Sequence, residues 1–196
     1  MDYREMAGNR VSLLGYGCMR FPTDDAGNID EARAEALLLR AYEAGINYFD
    51  TAWPYHSGKS EPFVGKVMSK LPRDSFYLAT KLPIWAIDSL DKAREIFDTQ
   101  LEHLHSEYVD YYLLHALDEE KWEKCLKLGI VDFLVEQKRL GRIRKLGFSF
   151  HAPYAVFNRI IDHRRWDFCQ IQLNYMDTEH QAGLQGLAYA EAKGIP

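Results

Sequence analysis

Gly45-Ile46-Asn47-Tyr48-Phe49-Asp50-Thr51-Ala52-Trp53-Pro54-Tyr55 reads as a helix stop, a short strand and a loop. Gly45 suits the left-handed residue that follows a helix. Asn47 to Asp50 is apolar enough for a buried strand. The loop opens at Asp50 and carries Tyr55 five positions later. A carboxylate at the end of a buried strand, with a phenol on the following loop, is an unusual thing to build for packing alone.

Outward from this stretch the chain alternates strand and helix. Tyr3 to Met6 and Arg10 to Leu14 flank Ala7-Gly8-Asn9 and predict a hairpin. Leu13 to Met19 continues as a strand into a glycine-containing loop. Asp30 predicts the N-cap of a helix over 31–44. Ser60 predicts the cap of a helix ending near Ser69, with Pro62 in its first turn. Phe76 to Lys81 is the next strand, and Ser89 caps a helix with apolar residues at helical spacing from Leu90 to Leu104. Tyr108 to Leu114 is a strand ending at His115. Residues 120–140 form a long helical region, with room for an interruption, that stops at Gly141. Ile143 to Phe148, the helix Pro153 to His163, the strand Phe168 to Leu173 and a helix over 183–193 complete the series. Short connections and apolar strands argue for an α/β protein with a parallel sheet covered by helices. An open doubly wound sheet and a closed (β/α)₈ barrel both fit.

The polar residues at the strand ends choose between them. Asp50, Lys81, His115, Ser149 and Gln172 each lie at or just past the carboxyl end of a different strand. A barrel brings such ends to one face. An open sheet spreads them along an edge, out of reach of one small substrate. The dinucleotide-binding alternative is also weak locally. Gly15-Tyr16-Gly17 lacks the third glycine of the fingerprint, and the next helix starts about a dozen residues too late.

A reaction that leaves an oxygen negative needs a proton donor placed beside it. A free phenol, with a pKa of about 10, is a poor acid at neutral pH. A neighbouring ammonium favours the phenolate, and a carboxylate holds the ammonium charged and in place. Tyr55, Lys81 and Asp50 supply that set, and His115 adds a donor that can orient the reacting oxygen. Taken singly, each has a plain structural reading: a turn Asp, a loop Tyr, a solvated Lys, a hydrogen-bonded core His. Four residue types in order, Asp50 and Tyr55 on one strand–loop unit and Lys81 and His115 at the ends of the next two strands, point to one site where the single residues do not.

The same stretch resembles the active-site signature of the aldo-keto reductases, through Gly45, Asp50, Thr51, Ala52 and Tyr55 and the run Gly58-Lys59-Ser60-Glu61 to Gly65. The resemblance extends over essentially the whole chain. It implies a TIM (β/α)₈-type barrel with a short N-terminal hairpin, truncated after about six β/α units, so that residues 1–196 make a single incomplete barrel domain. It implies an NAD(P)H-dependent oxidoreductase reducing an aldehyde or ketone. Tyr55 becomes the general acid, Lys81 the modulator of its acidity, Asp50 the support for Lys81 and His115 the substrate-orienting group. Gly17, Cys18, Met19, Asp50, Ser149 and Gln172 become cofactor-binding residues for NADP(H) or NAD(H). Phe150 stands where the family has an Asn beside the serine, which leaves Asn174 or His151 as substitutes. Met19, Trp85 and His115 become walls of the carbonyl pocket. The pattern is similar to bacterial members, through Lys81-Leu82-Pro83-Ile84-Trp85 and Gly147-Phe148-Ser149-Phe150-His151, whose chains continue into a ferredoxin-like iron–sulfur domain. On that reading the chain is a fragment with weak cofactor affinity. A redox sensor or regulatory subunit that keeps the site, or an inactive fragment, is the rival expectation.

Bulk properties remove other classes. The formal net charge is −5, so no global basic field recruits nucleic acid or anionic lipid. Lys138, Arg139, Arg142, Arg144 and Lys145 form a basic run, but they precede a strand and fall on the face opposite the strand ends. His103 and His105 do not share a helix face, which argues against a metal pair. Cys18, Cys125 and Cys169 form no C-x-x-C pair, so no iron–sulfur cluster or zinc ribbon is expected from this chain. Widely spaced thiols suit a reducing cytoplasm. No apolar run approaches a membrane span.

Overall fold

Strands Tyr3–Met6 (β1) and Asn9–Ser12 (β2) pair as an antiparallel hairpin in the computed structural model, which describes residues 1–196. The hairpin is shorter than the sequence suggests. Leu13 and Leu14 are exposed, and the next strand is only Tyr16–Gly17 (β3). Then follow α1 (Glu31–Glu43), β4 (Tyr48–Asp50), α2 (Ser60–Met68), β5 (Tyr77–Leu82) and α3 (Leu90–His103). The chain continues through β6 (Val109–Leu117), α4 (Glu119–Lys127), α5 (Ile130–Arg139), β7 (Ile143–Phe150), α6 (Tyr154–His163), β8 (Phe168–Ile171) and α7 (Gly183–Ala192). The strands β3 to β8 form one six-stranded parallel sheet in sequence order. Strand order that never reverses removes the crevice of a doubly wound sheet and curls the sheet into a half-barrel.

Two apolar layers hold the curl. The larger lies between the outer face and the helices, through residues such as Leu38, Phe97, Leu134, Phe148 and Phe157. A smaller one fills the inside with Val11, Ala79, Tyr111, Leu113 and Phe168. The hairpin plugs the end where the strands begin. Asn9 donates to the Tyr111 hydroxyl at 2.9 Å, and that hydroxyl donates to the Met6 carbonyl at 3.1 Å.

Local chemistry explains most boundaries. Asp30 accepts from the Arg33 N–H and Ser89 from the Lys92 N–H, as N-caps do. The helical region over 120–140 is two helices, broken at Gly129 with φ +69°. Ser60 does not cap α2. Its hydroxyl lies 2.8 Å from the Thr51 hydroxyl and donates to the Cys18 carbonyl at 3.0 Å, so it ties the helix to the loops instead. Two strands run beyond their expected ends, so His115 lies in β6 and Ser149 in β7. The cause is a bulge between Leu114 and Leu117, with Ala116 at φ +52°, whose N–H donates to the Ser149 hydroxyl at 2.7 Å. The long-range partner that stabilises the bulge is invisible to local periodicity.

A Cβ added at Gly65 would stand 2.1 Å from the His103 carbonyl oxygen and 2.8 Å from Leu104 backbone. Helix α2 therefore rests directly on the end of α3. Gly65→Ala is expected to lower stability by roughly 1–3 kcal/mol through overpacking. Urea unfolding with an unchanged slope and a lower midpoint would register it.

Candidate active site

The register places the strand-end residues together. Gly17 of β3 pairs with Asp50 of β4, Asp50 with Ala79 of β5, and Lys81 with Leu113 of β6. Period-2 alternation then puts Asp50, Ala79 and Lys81 on the inner face. The Lys81 ammonium donates to Asp50 Oδ1 at 2.5 Å, to the Thr51 carbonyl at 2.8 Å and to the Tyr55 hydroxyl at 3.3 Å. It also sits 5.0 Å from the centre of the Tyr55 ring. Tyr55 begins a short 3₁₀ turn, Tyr55–Gly58, that starts where the loop from Asp50 ends. His56 and Ser57 in that turn have positive φ, and His56 Nε2 accepts from the Phe21 N–H at 3.0 Å. This bond ties the Tyr55 turn to the loop after β3.

Lys81 is 3% exposed as a side chain and Asp50 14%. Burial alone would push the lysine down, but Asp50 and Tyr55 outweigh it and hold Lys81 above its ordinary value. The ammonium is therefore permanent over the physiological range. Asp50 Oδ2 is buried without a protein partner.

His115 lies edge-on to Tyr55, ring centres 6.2 Å apart, and Trp85 covers it at 4.9 Å. Burial first, then the positive charge of Lys81 and the nearby His151 and Lys121, push the imidazole down to about 3. His115 is thus a neutral ring at neutral pH, able to donate from one nitrogen. Its Nδ1 is buried and unpartnered. A neutral histidine kept from ionising contributes stability that is complete above its unfolded pKa of about 6.5 and is lost as pH falls toward 3. The slope contributed is at most about 1.4 kcal/mol per pH unit. His115→Gln is expected to flatten the acid limb of a stability–pH curve between those values. An identical acid limb in both proteins would contradict the assignment of His115.

The remaining expected site residues divide. Ser149 is buried beside the cluster, with its oxygen engaged by Ala116 and its hydroxyl hydrogen still available. Gln172 is exposed one residue past β8. Gly17 has open space where a Cβ would stand. Met19 and Trp85 are each about half exposed on their loops. Cys18 departs from expectation. Its surface is fully buried in the core and burial raises the thiol, so the residue cannot meet a ligand here. Phe150, in the position of the missing Asn, is packed in the core. Of its substitutes, Asn174 Oδ1 accepts from the Met176 N–H, and His151 Nδ1 lies 3.1 Å from the half-buried Gln181 side-chain oxygen. A cavity of about 420 Å³ inside the curl touches this site through Gly17 and Asp50 and is not lined by Tyr55, Lys81 or His115.

Two participants carried little sequence signal of their own. Thr51 gives its carbonyl to Lys81, and Glu61 is buried just beneath. Both belong to the stretch that begins at Gly45 and runs to Gly65, and only their place in it marks them. Three of the five residues of the basic run pair with carboxylates, Lys138 with Asp167, Arg139 with Glu136 and Arg142 with Asp98, and Arg144 lies over the Tyr108 ring.

The sequence pattern that defines the Aldo/keto reductase family matches residues 13–196. The chain belongs to that family. Among its relatives, it is 31% identical to a probable aldo-keto reductase 1 of Glycine max over 160 residues, covering 76% of this chain and 44% of that protein. It is 29% identical to L-galactose dehydrogenase of Arabidopsis thaliana over 197 residues, covering 96% and 60%. The holo form of aldo-keto reductase AKR11C1 from Bacillus halodurans superposes with a TM-score of 0.80 at 27% identity, over 100% of this chain and 64% of that one. The chain spans about half the length of the curated relatives it matches, 44% and 60% of these two. The half-barrel is accordingly the part of the family's fold that carries strand ends β3 to β8.

Proposed function

We propose that residues 1–196 form one domain, an incomplete barrel, that carries the proton-delivering side of a nicotinamide-dependent carbonyl reductase site. The reading rests on one observation. A single buried ammonium, Lys81, spans Asp50 at 2.5 Å and the Tyr55 hydroxyl at 3.3 Å. The phenol is thereby held beside a fixed positive charge, which favours loss of its proton to a substrate oxygen. Tyr55 delivers the proton. Asp50 keeps Lys81 charged and in place. Neutral His115 donates to the same substrate oxygen and orients it, with Trp85 shielding its other side from water.

The residues that would hold NADP(H) or NAD(H) fit in part. The Ser149 hydroxyl hydrogen and the exposed Gln172 amide can meet a carboxamide, Met19 and the open backbone at Gly17 can line its bed, and Phe150 offers no hydrogen bond. When bound, the reduced nicotinamide supplies the hydride. The substrate class is a small aldehyde or ketone, walled by Trp85, Met19 and His115.

No helix is long and apolar enough to cross a membrane. The three cysteines are unpaired, in keeping with a reducing compartment such as the cytoplasm. Oxidation of NADPH by this chain, followed at 340 nm with a panel of aldehydes and ketones, tests the reading. Turnover with at least one carbonyl is expected. Binding of NADPH without turnover of any would favour a cofactor-sensing role instead.

A further inference from the structure

We infer that Glu61 is a positioning residue that sets where Lys81 stands relative to Asp50 and Tyr55. The inference rests on the proposed role of Lys81 and adds a residue that touches neither substrate nor cofactor. Glu61 is the second residue of α2 and is 1% exposed. A carboxylate buried that far needs a reason, because desolvation is costly unless hydrogen bonds replace water. Its Oε1 accepts from the Thr80 hydroxyl at 2.5 Å and from the Gln100 amide at 2.5 Å. The Gln100 amide also donates to the Lys81 carbonyl at 3.1 Å, and its oxygen accepts from the Tyr112 hydroxyl at 2.6 Å. One carboxylate oxygen therefore holds the Thr80 side chain directly and the Lys81 carbonyl through Gln100, at the end of β5.

The second oxygen reaches toward the other arm of the site. Glu61 Oε2 has no hydrogen-bond partner and lies 3.7 Å from His103 Nδ1. The His103 ring stacks on Trp53, centres 5.9 Å apart at 18°. Trp53 is on the loop between Asp50 and Tyr55. The neighbouring Ser60 pins the same helix turn to Thr51 and Cys18. Glu61 thus bonds to the strand that carries Lys81 and, across His103, faces the loop that carries Tyr55.

The test reads Lys81 directly and needs no turnover. In lysine-labelled NMR of the whole chain, the Lys81 side-chain signal is assigned by its loss in Lys81→Met. Its deprotonation midpoint in the unaltered chain lies above that of ordinary lysine, since Asp50 and Tyr55 outweigh burial. Glu61→Leu removes the anchor, loosens Lys81 from Asp50 and is expected to lower the midpoint by about one pH unit or more. Glu61→Gln keeps an oxygen acceptor of the same reach and is expected to stay within about 0.3 unit of the unaltered chain. Thr80→Val and Gln100→Leu each remove one link and should lower the midpoint by smaller amounts, which keeps the test decisive if Glu61→Leu does not fold. A folded Glu61→Leu, Thr80→Val or Gln100→Leu protein with an unmoved Lys81 midpoint would overturn the positioning role. So would a Glu61→Gln midpoint displaced as far as that of Glu61→Leu, since charge and not placement would then be acting. A chain that binds no carbonyl would count against the proposed reaction and leave this result standing.

Discussion

Tyr55→Phe is expected to lower kcat for carbonyl reduction by roughly 10²- to 10⁴-fold, the range that a positioned acid contributes. The substitution removes one oxygen and leaves the ring against Lys81 and His115. Affinity for NADPH should therefore change by no more than about twofold, and the loss should fall on kcat. Steady-state NADPH oxidation and fluorescence titration together separate the two. Equal loss of cofactor binding would mean that Tyr55 organises the bed and does not deliver the proton. Stability should hardly move, because Tyr55 is half-buried and its hydroxyl bond to Lys81 is long at 3.3 Å.

Asp50→Leu is the second large effect, and it falls on stability. It strands an ammonium that is 3% exposed, with only the Thr51 carbonyl and the Tyr55 hydroxyl as partners. Removing one partner of a buried pair costs about 3–5 kcal/mol. Lys81→Met should cost less, because the Asp50 side chain is the more exposed partner, at 14% against 3%, and Oδ1 can take water in the space the ammonium leaves. The double variant, Asp50→Leu with Lys81→Met, should recover most of the loss, since two apolar groups of similar volume leave no charge behind. Urea unfolding of the four proteins gives the coupling. Additive losses would show that the ion pair is not the source of the cost, and the buried-charge account would fail.

Much of this site was legible because it is built on a regular plan. Each of Asp50, Lys81, His115 and Ser149 comes near the carboxyl end of its strand, and a barrel topology converts that position into proximity. The apolar strands and capped helices fix the topology without any knowledge of contacts. What escaped is non-local. Ser60 looks like a cap because its neighbours look like a helix start, yet its hydroxyl is captured by Thr51 and Cys18 from two other loops. The bulge at Ala116 depends on a serine 33 positions away. Cys18 sits at a strand-end position like the others, but the turn of the loop points it into the core. Glu61 carries no signal beyond its place in the run Gly58-Lys59-Ser60-Glu61. Only the fold shows that Thr80, Gln100 and His103 enclose it.

Lys81 is fixed by contacts at both its ammonium and its backbone, and His115 is fixed by a bulge that Ser149 holds. Both are placed before any substrate arrives, which is the condition for electrostatic preorganisation.

The most direct measurement is isotope transfer. NADPH carrying deuterium at the reactive position of the nicotinamide is incubated with the chain and a panel of aldehydes and ketones, and the alcohols are read by mass spectrometry. Deuterium on the former carbonyl carbon, with the yield in Tyr55→Phe reduced at least about a hundredfold, is the predicted result. Deuterated alcohol at equal rates in both proteins would contradict the claim that Tyr55, held by Lys81 and Asp50, delivers the proton.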